Sequence, residues 1–298
     1  MDKPGLLVPP LTPFTEEGTV DFRILAEEVD YILETSRPEM IIAAGVETQE
    51  YHYLSPQARQ DLIRATIDSV DGRCPVAVGI THPSLGEVLR LADLASDLGA
   101  AAVQLLAPQR PFGGQPTIGE LVAYFDHVAA RVDLPMVLYL NPGPGAEVSV
   151  TGTIELSSIE KVRYVKESSR DLSRVGLLIG EIDRAGSARY YTTMQMLLAS
   201  IQLGGSGATM PPPAAELASR VIDAYVEKDW PEAARLQIQF GRFPALWMGH
   251  GLAPVMKAAM KCLNRDVGPP HPPFPGLDGH ELSALCNELS TMDLARKE

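Results

Sequence analysis

Nowhere does the 298-residue sequence contain a run of about 18 uncharged apolar residues, the length a membrane-crossing helix needs. Its first residues, Met1, Asp2, Lys3 and Pro4, lack the basic-then-apolar layout of a secretory signal. These two absences predict a soluble, cytoplasmic protein with no membrane partner. Cysteine is scarce: Cys74, Cys262 and Cys286 form no CxxC pair and have no histidine at zinc-ligand spacing, so they read as reduced packing residues and no metal site is expected. Positive charge is also short, with 25 Lys and Arg against 38 Asp and Glu and a net charge of −13. That balance excludes nucleic acid and anionic membranes as partners, because both demand a basic face.

What is present suits a large buried core: 45% hydrophobic and 21% charged residues in a chain long enough for one full-sized α/β domain. Short β-rich apolar runs alternate about eight times with longer amphipathic stretches, the order that calls for a parallel sheet with crossover helices. The predicted strands are Leu6 to Val8, Met40 to Ala44, Val76 to Gly79, Ala102 to Leu106, Met136 to Tyr139, Arg163 to Lys166, Ala188 to Tyr191 and Gly207 to Thr209. Asp21 to Glu34 reads as a helix, and Ser55 before Pro56 marks another start, a hydroxyl cap ahead of a proline tolerated in the first turn. From Ser84 to Leu98, the residues Leu85, Val88, Leu89, Ala92 and Ala95 make one face for packing, while Glu87, Arg90 and Asp93 are expected in water. Gly99 ends that helix. Further helices are predicted near Pro213 to Lys228, Trp230 to Phe243, Leu252 to Leu263 and Gly279 to Leu294, more than eight barrel units need. The run Gly268 to Pro275 between the last two reads as a stiff extended linker. The expected architecture is α/β, a (β/α)8 TIM barrel over residues 1–225 followed by a C-terminal helical region over 226–298.

In a parallel barrel the loops after the strands build the site, so polar residues at strand ends carry the functional signal. Lys166 ends the run Val162, Arg163, Tyr164, Val165 and is followed by Glu167, Ser168 and Ser169. Tyr139 ends Pro135, Met136, Val137, Leu138 and leads into Asn141, Pro142 and Gly143. Gly45, Val46, Glu47, Thr48, Gln49 and Glu50 follow the second strand, and Thr12, Pro13 and Phe14 lie near the N-terminus. Singly, each has a plain structural reading: a lysine pairing with Glu167, a tyrosine with a satisfied hydroxyl, a loop that caps the next helix.

In order and separation, however, these fragments resemble the dihydrodipicolinate synthase and N-acetylneuraminate lyase family, the pyruvate-dependent class I aldolases and lyases. The resemblance runs from Pro10, Leu11, Thr12, Pro13, Phe14 with Gly18, Val20 and Asp21, through Leu134 to Tyr139 with Pro142 and Gly143. It continues through Val165, Lys166, Glu167, Ser168, Ser169 with Asp171, and Gly204, Gly205, Ser206, Gly207, to the closing Val267, Gly268, Pro269, Pro270, Pro272, Pro273. It implies a barrel with C-terminal helices, a homo-oligomer (tetramer or dimer), and Schiff-base chemistry on a small 2-oxo acid without metal or organic cofactor. Lys166 matches the family's Schiff-base lysine and Tyr139 its proton-relay tyrosine. Glu47 and Thr48 occupy the turn that grips the substrate carboxylate, and Ala208 stands at a substrate-binding position. The chemistry is coherent. An amine attacks a ketone only when unprotonated, and burial beside apolar residues lowers its pKa; the resulting iminium then draws electrons from the neighbouring bond.

The sequence also departs from the family. Its turn carries two adjacent small hydroxyl residues, whereas Glu47 sets a carboxylate beside a substrate carboxylate, which costs free energy unless one is protonated or a cation intervenes. Glu47 is therefore expected to turn away or to meet a hydroxyl-bearing part of the substrate. Where dihydrodipicolinate synthases have a Pro-Gly-Arg turn, this chain has Pro142, Gly143, Pro144, and the loop with their paired tyrosines reads Ala107, Pro108, Gln109, Arg110, Pro111, Phe112. Tyr191 stands where a glycine is usual and is expected at the pocket wall, with Arg110 and His82 as candidates for binding an acid group. The expected function is a Schiff-base-forming lyase, aldolase or hydro-lyase, acting on pyruvate or another small 2-oxo acid, deoxy sugar acids included. The alternatives are 4-hydroxy-tetrahydrodipicolinate synthase and a catalytically altered barrel that binds small acids.

Overall fold

In a computed structural model, which describes residues 3–112, 114–242 and 249–294, eight parallel strands close into a barrel. They are β1 Gly5–Val8, β2 Met40–Ala43, β3 Val76–Gly79, β4 Ala102–Leu106, β5 Met136–Leu140, β6 Val162–Glu167, β7 Arg189–Thr193 and β8 Gly207–Thr209. Each pairs with the next, and β8 returns to β1. Successive side chains point to opposite faces. Leu7, Met40, Ile42, Ala77, Ala102, Val137 and Tyr191 therefore fill the interior, while Leu6, Val8, Ile41, Val78, Val103, Leu138, Val165 and Ala208 join the apolar layer under the helices. Because both faces are buried, the strands read as continuous apolar runs, and three of the eight have the predicted bounds. β7 runs two residues further than expected, since the β-branched Thr192 and Thr193 continue the strand.

Helices α1 Phe22–Ser36, α2 Pro56–Val70, α3 Leu85–Asp97, α4 Ile118–Ala129, α5 Val150–Ser157, α6 Leu172–Leu178, α7 Leu197–Leu203 and α8 Pro212–Val226 surround the barrel. Their starts follow local chemistry. The Asp21 carboxylate accepts the backbone N–H groups of Arg23 and Ile24, both at 3.0 Å, and Ser55 Oγ accepts that of Ala58 at 3.1 Å. One helical expectation needs correction. Glu87, in the first turn of α3, is buried rather than in water, and Arg90, one turn on, pairs with it.

Beyond Val226 come α9 Trp230–Ile238, α10 Leu252–Cys262 and α11 Gly279–Ser290; the predicted helix end at Phe243 lies outside the described residues. These helices contribute Leu236, Val255, Met256, Leu285 and Leu289 to the same core as the outer barrel layer. Lys257 fastens α10 to the barrel. Its ammonium pairs with Glu50 at 3.1 Å and donates to the carbonyls of Thr12 at 2.7 Å and Pro269 at 2.9 Å. Thr12, singled out in the sequence, thus serves this junction, where its own N–H donates to Glu50 at 2.9 Å. The Pro-rich run is irregular, as expected of a linker, but docks on the barrel through His271 stacked on Tyr53. A second correction concerns cysteine. Cys262 and Cys286 form a disulfide between α10 and α11, and only Cys74 is free. The two lie 24 positions apart, a spacing that does not reveal the pairing, which arises because α10 and α11 pack against each other.

Closure of the barrel depends on Gly207. It sits opposite Gly5 at φ +147°, where an added Cβ would lie 1.9 Å from the Gly5 carbonyl oxygen. Gly207→Ala is expected to lower unfolding free energy by about 3 kcal/mol or more, as overpacking against rigid backbone does. Urea denaturation checks this; wild-type stability would contradict it.

Candidate active site

Strand parity puts Lys166 inside the barrel and Glu167 outside. Lys166 lies at the C-terminal end of β6, in register with Tyr139 of β5 and Tyr191 of β7. Glu167 is bound outside by Arg174 Nε at 2.8 Å and by the Tyr190 hydroxyl at 2.5 Å. The lysine amine is left with one short hydrogen bond, Nζ to Ser168 Oγ at 2.5 Å, and lies 4.1 Å from the centre of the Tyr139 ring. Burial pushes its pKa down to about 8, against the opposing pull of Glu47 and Glu167. Such a shift penalises the ammonium by about 3 kcal/mol relative to a solvated lysine. About a tenth of the amine is therefore unprotonated at pH 7, far more than for a solvated lysine.

Tyr139 Oη accepts a hydrogen bond from Asn141 Nδ2 at 2.9 Å. Burial and the nearby Glu47 charge both raise its pKa above the ordinary phenol range, so it is a protonated phenol. Glu47 enters the site through a strained turn. Ala44 (φ +48°) and Gln49 (φ +60°) both take left-handed backbone, at a cost of about 1 to 3 kcal/mol each. Gln49 is held there by its own side chain, whose Nε2 donates to the Val46 carbonyl at 2.5 Å. Gln104 of β4, wholly buried, clamps the rest: its Oε1 accepts from Val46 N at 3.1 Å and its Nε2 donates to Glu47 Oε1 at 2.7 Å. Glu47 Oε2 is shielded from solvent and has no hydrogen-bond partner. Burial raises the Glu47 pKa, and Lys166, Gln104 and the backbone N–H groups of Glu47 and Val46 partly offset that rise.

Lys166, Tyr139, Glu47 and Thr48 line one cavity of about 170 Å³ at the C-terminal ends of the strands, with Asn141, Ser168, Arg170, Thr193, Thr209 and Leu252. The other expected residues lie elsewhere. Tyr191 is not at the pocket wall but below it, in the barrel interior, with its hydroxyl donating to Glu39 Oε2 at 2.8 Å. Ala208 faces the outer apolar layer, and its neighbour Thr209 faces the cavity. Arg110 turns away to chelate Glu120 with two 2.7 Å bonds, and His82 Nδ1 accepts the Ser84 N–H at 3.0 Å. Arg170, Thr193 and Thr209 were not singled out. The signal for the threonines is a hydroxyl at an inward strand-end position, legible only when β7 extends to Thr193 and side chains alternate along the three-residue β8. Among the described residues no cluster of three or more His, Cys, Asp or Glu side chains converges as metal ligands, and no helix is long and apolar enough to cross a membrane.

A closed parallel barrel that presents a buried, readily deprotonated lysine to a small cavity defines an enzyme of the class I aldolase and lyase kind. The chain belongs to the dihydrodipicolinate synthetase family, whose family model matches residues 2–292. It is 29% identical over 97% of its length to the 4-hydroxy-tetrahydrodipicolinate synthase of Methanosphaerula palustris, of which 99% is covered. Its fold matches that of YagE from E. coli K12, solved in complex with pyruvate, with TM-score 0.89 and 22% identity over 98% of this chain and 99% of that one. N-acetylneuraminate lyase from Mycoplasma synoviae follows with TM-score 0.82 and 21% identity over 97% of each chain.

The depressed pKa of Lys166 has a direct readout. Acylation by a small amine-reactive anhydride, followed by peptide mass spectrometry across pH, is expected to label Lys166 half-maximally near pH 8, below the ordinary lysine value of about 10.4. A midpoint at or above the ordinary value would contradict the burial argument.

Proposed function

We propose that this enzyme is a Schiff-base-forming lyase, an aldolase or hydro-lyase, that binds pyruvate or another small 2-oxo acid on Lys166. The observation that carries the reading is the Lys166 amine, buried, partly unprotonated and facing a cavity lined by hydroxyl and amide groups. The neutral amine attacks the ketone carbon, water leaves, and the iminium serves as the electron sink for C–C cleavage, C–C formation or loss of a β-hydroxyl. Tyr139, a phenol at the cavity wall, donates or returns a proton to the substrate oxygen. Thr48, Thr193 and Thr209 supply hydroxyls for the 2-oxo acid carboxylate and for polyol parts of the substrate, which favours deoxy sugar acids as second substrates. No metal or organic cofactor enters this scheme.

A second reading, 4-hydroxy-tetrahydrodipicolinate synthase, draws on the full-length relative of that name and on Arg170. That reaction needs a cation for a second carboxylate, which Pro144 cannot supply. The Arg170 guanidinium lines the cavity, with Nε donating to Gln195 Oε1 at 3.1 Å. Exposed Leu172 and Leu177 on α6 and Leu203 on α7 support a homo-oligomer, dimer or tetramer. A cytoplasmic location suits an enzyme drawing on 2-oxo acid pools; the Cys262–Cys286 bridge counts against it, because disulfides persist in oxidising surroundings.

Borohydride added with pyruvate is expected to fix a covalent adduct on Lys166, and Lys166→Ala to abolish both adduct and turnover. Mapping the adduct to another lysine would sink the proposal. Assayed with pyruvate and aspartate semialdehyde, the enzyme is expected to condense them at least about 10-fold less efficiently than it cleaves its best 2-oxo-3-deoxy sugar acid, the loss expected when one charge-assisted contact is missing. Efficient condensation, lost on Arg170→Ala, would instead establish the second reading.

A further inference from the structure

The cavity holds one polar atom that the chemistry so far leaves unused, Glu47 Oε2. A carboxyl oxygen shielded from water and without a partner is costly to keep, yet the surrounding residues are arranged to keep it there. Gln104 takes only the other oxygen, Oε1, and fixes the adjoining Val46 N–H with the same amide group. Gly45 leaves the space that Oε2 needs: a Cβ at that position would lie 2.9 Å from Oε2 and 2.5 Å from Pro9 Cβ. Lys166, whose charge Glu47 feels, borders the same cavity.

We infer that Glu47 is a catalytic acid–base residue of this site, its free Oε2 exchanging a proton first with the Lys166 amine and then with the oxygen that leaves the 2-oxo acid. The inference rests on the Schiff-base reading above. Lys166 Nζ bonds Ser168 Oγ rather than Glu47, so in the first step the Lys166 ammonium gives a proton to the Glu47 carboxylate through one relaying water, leaving a neutral amine and a carboxylic acid. The amine lone pair then bonds to C2 of the 2-oxo acid while the carbonyl π pair moves to oxygen. A proton passes from that nitrogen to that oxygen, giving a neutral carbinolamine. Finally the Glu47 acid protonates the hydroxyl, the C–O bond breaks to release water, and the nitrogen lone pair forms the iminium. Glu47 ends as a carboxylate, and the net change is ammonium plus ketone to iminium plus water.

Other groups in the site are less suited to this task. Around Glu47 the titratable groups are Lys166 of β6, Tyr139 of β5 and Tyr51 of the 3-10 turn Glu50–Tyr53, with Arg59 against the Tyr51 ring and Arg170 beyond Lys166. Both phenols are pushed up by burial, Tyr51 to about 12 and Tyr139 further. They can donate or relay a proton but cannot take one from the ammonium near neutral pH. Glu47, raised from the ordinary carboxyl range, is better matched to the amine. A protonated Glu47 also removes the repulsion that a carboxylate there would exert on the substrate carboxylate.

The test measures cyanoborohydride trapping of pyruvate on Lys166 in the wild-type enzyme and in Glu47→Gln, together with the pH midpoint for acylating Lys166. Glu47→Gln is expected to slow trapping about 100-fold or more and to move the midpoint down by about one pH unit, since the ammonium loses its anionic neighbour. A merely structural role would not move the midpoint, so slow trapping with an unshifted midpoint overturns the inference, as does trapping at the wild-type rate. Both outcomes leave the lyase reading intact, whereas absence of any Lys166 adduct in the wild type overturns both. If Glu47→Gln does not fold, Glu47→Asp decides. With its carboxyl kept one methylene back, it is expected to trap within about 10-fold of wild type, and a loss of about 100-fold would overturn the inference.

Discussion

Desolvation of a single nitrogen is the constraint on which the site depends. An ammonium at Lys166 is penalised because the barrel closes around it, with apolar side chains filling the layer beneath and Tyr139 covering one side. Without that penalty the amine would stay protonated and inert toward a ketone. Burial alone would be undone if Glu167, the next residue, could reach it. Strand parity prevents this by turning Glu167 outward, where Arg174 and Tyr190 engage it. The same alternation that builds the barrel therefore also turns the nucleophile and the carboxylate next to it in sequence to opposite faces.

Glu47 works in the opposite direction. It stabilises the ammonium that burial disfavours, and it is brought to the cavity by backbone that is itself costly, through Ala44 and Gln49. Strain of this kind persists where the surroundings over-determine it. Here Gln104, Gly45 and the Gln49 side chain do so. The balance between burial and one carboxylate sets the amine near the middle of its working range rather than fully charged or fully neutral, which suits a group that must gain and lose protons during each turnover.

Much of this was legible in the sequence, and the exceptions have physical causes. Runs buried on both faces are unmistakable as strands, so β3, β4 and β8 could be bounded to the residue, and Lys166 and Tyr139 stood out as polar groups ending such runs. Parity is harder to read where a strand is three residues long: Ala208, expected to bind substrate, faces outward, and Thr209 faces the cavity. Tyr191 is expected at the wall because it stands where the family usually has a glycine lining the pocket. Its length carries the hydroxyl down the interior to Glu39 instead, a partner that no local pattern reveals. Arg110 and Arg170 illustrate a further limit. Both follow strands, but only the fold shows that one is occupied by Glu120 while the other borders the cavity. The disulfide was missed for the same reason, since pairing depends on how α10 meets α11 and not on the spacing of their cysteines.

The central claim is that the Lys166 nitrogen becomes covalently bonded to the ketone carbon of a 2-oxo acid. A crystal structure of the enzyme soaked with pyruvate tests it most directly. The account predicts continuous electron density from Lys166 Nζ to C2 of the ligand, with the ligand carboxylate against Thr48. Pyruvate held in the cavity without a bond to Lys166, or bonded to a different lysine, would contradict it.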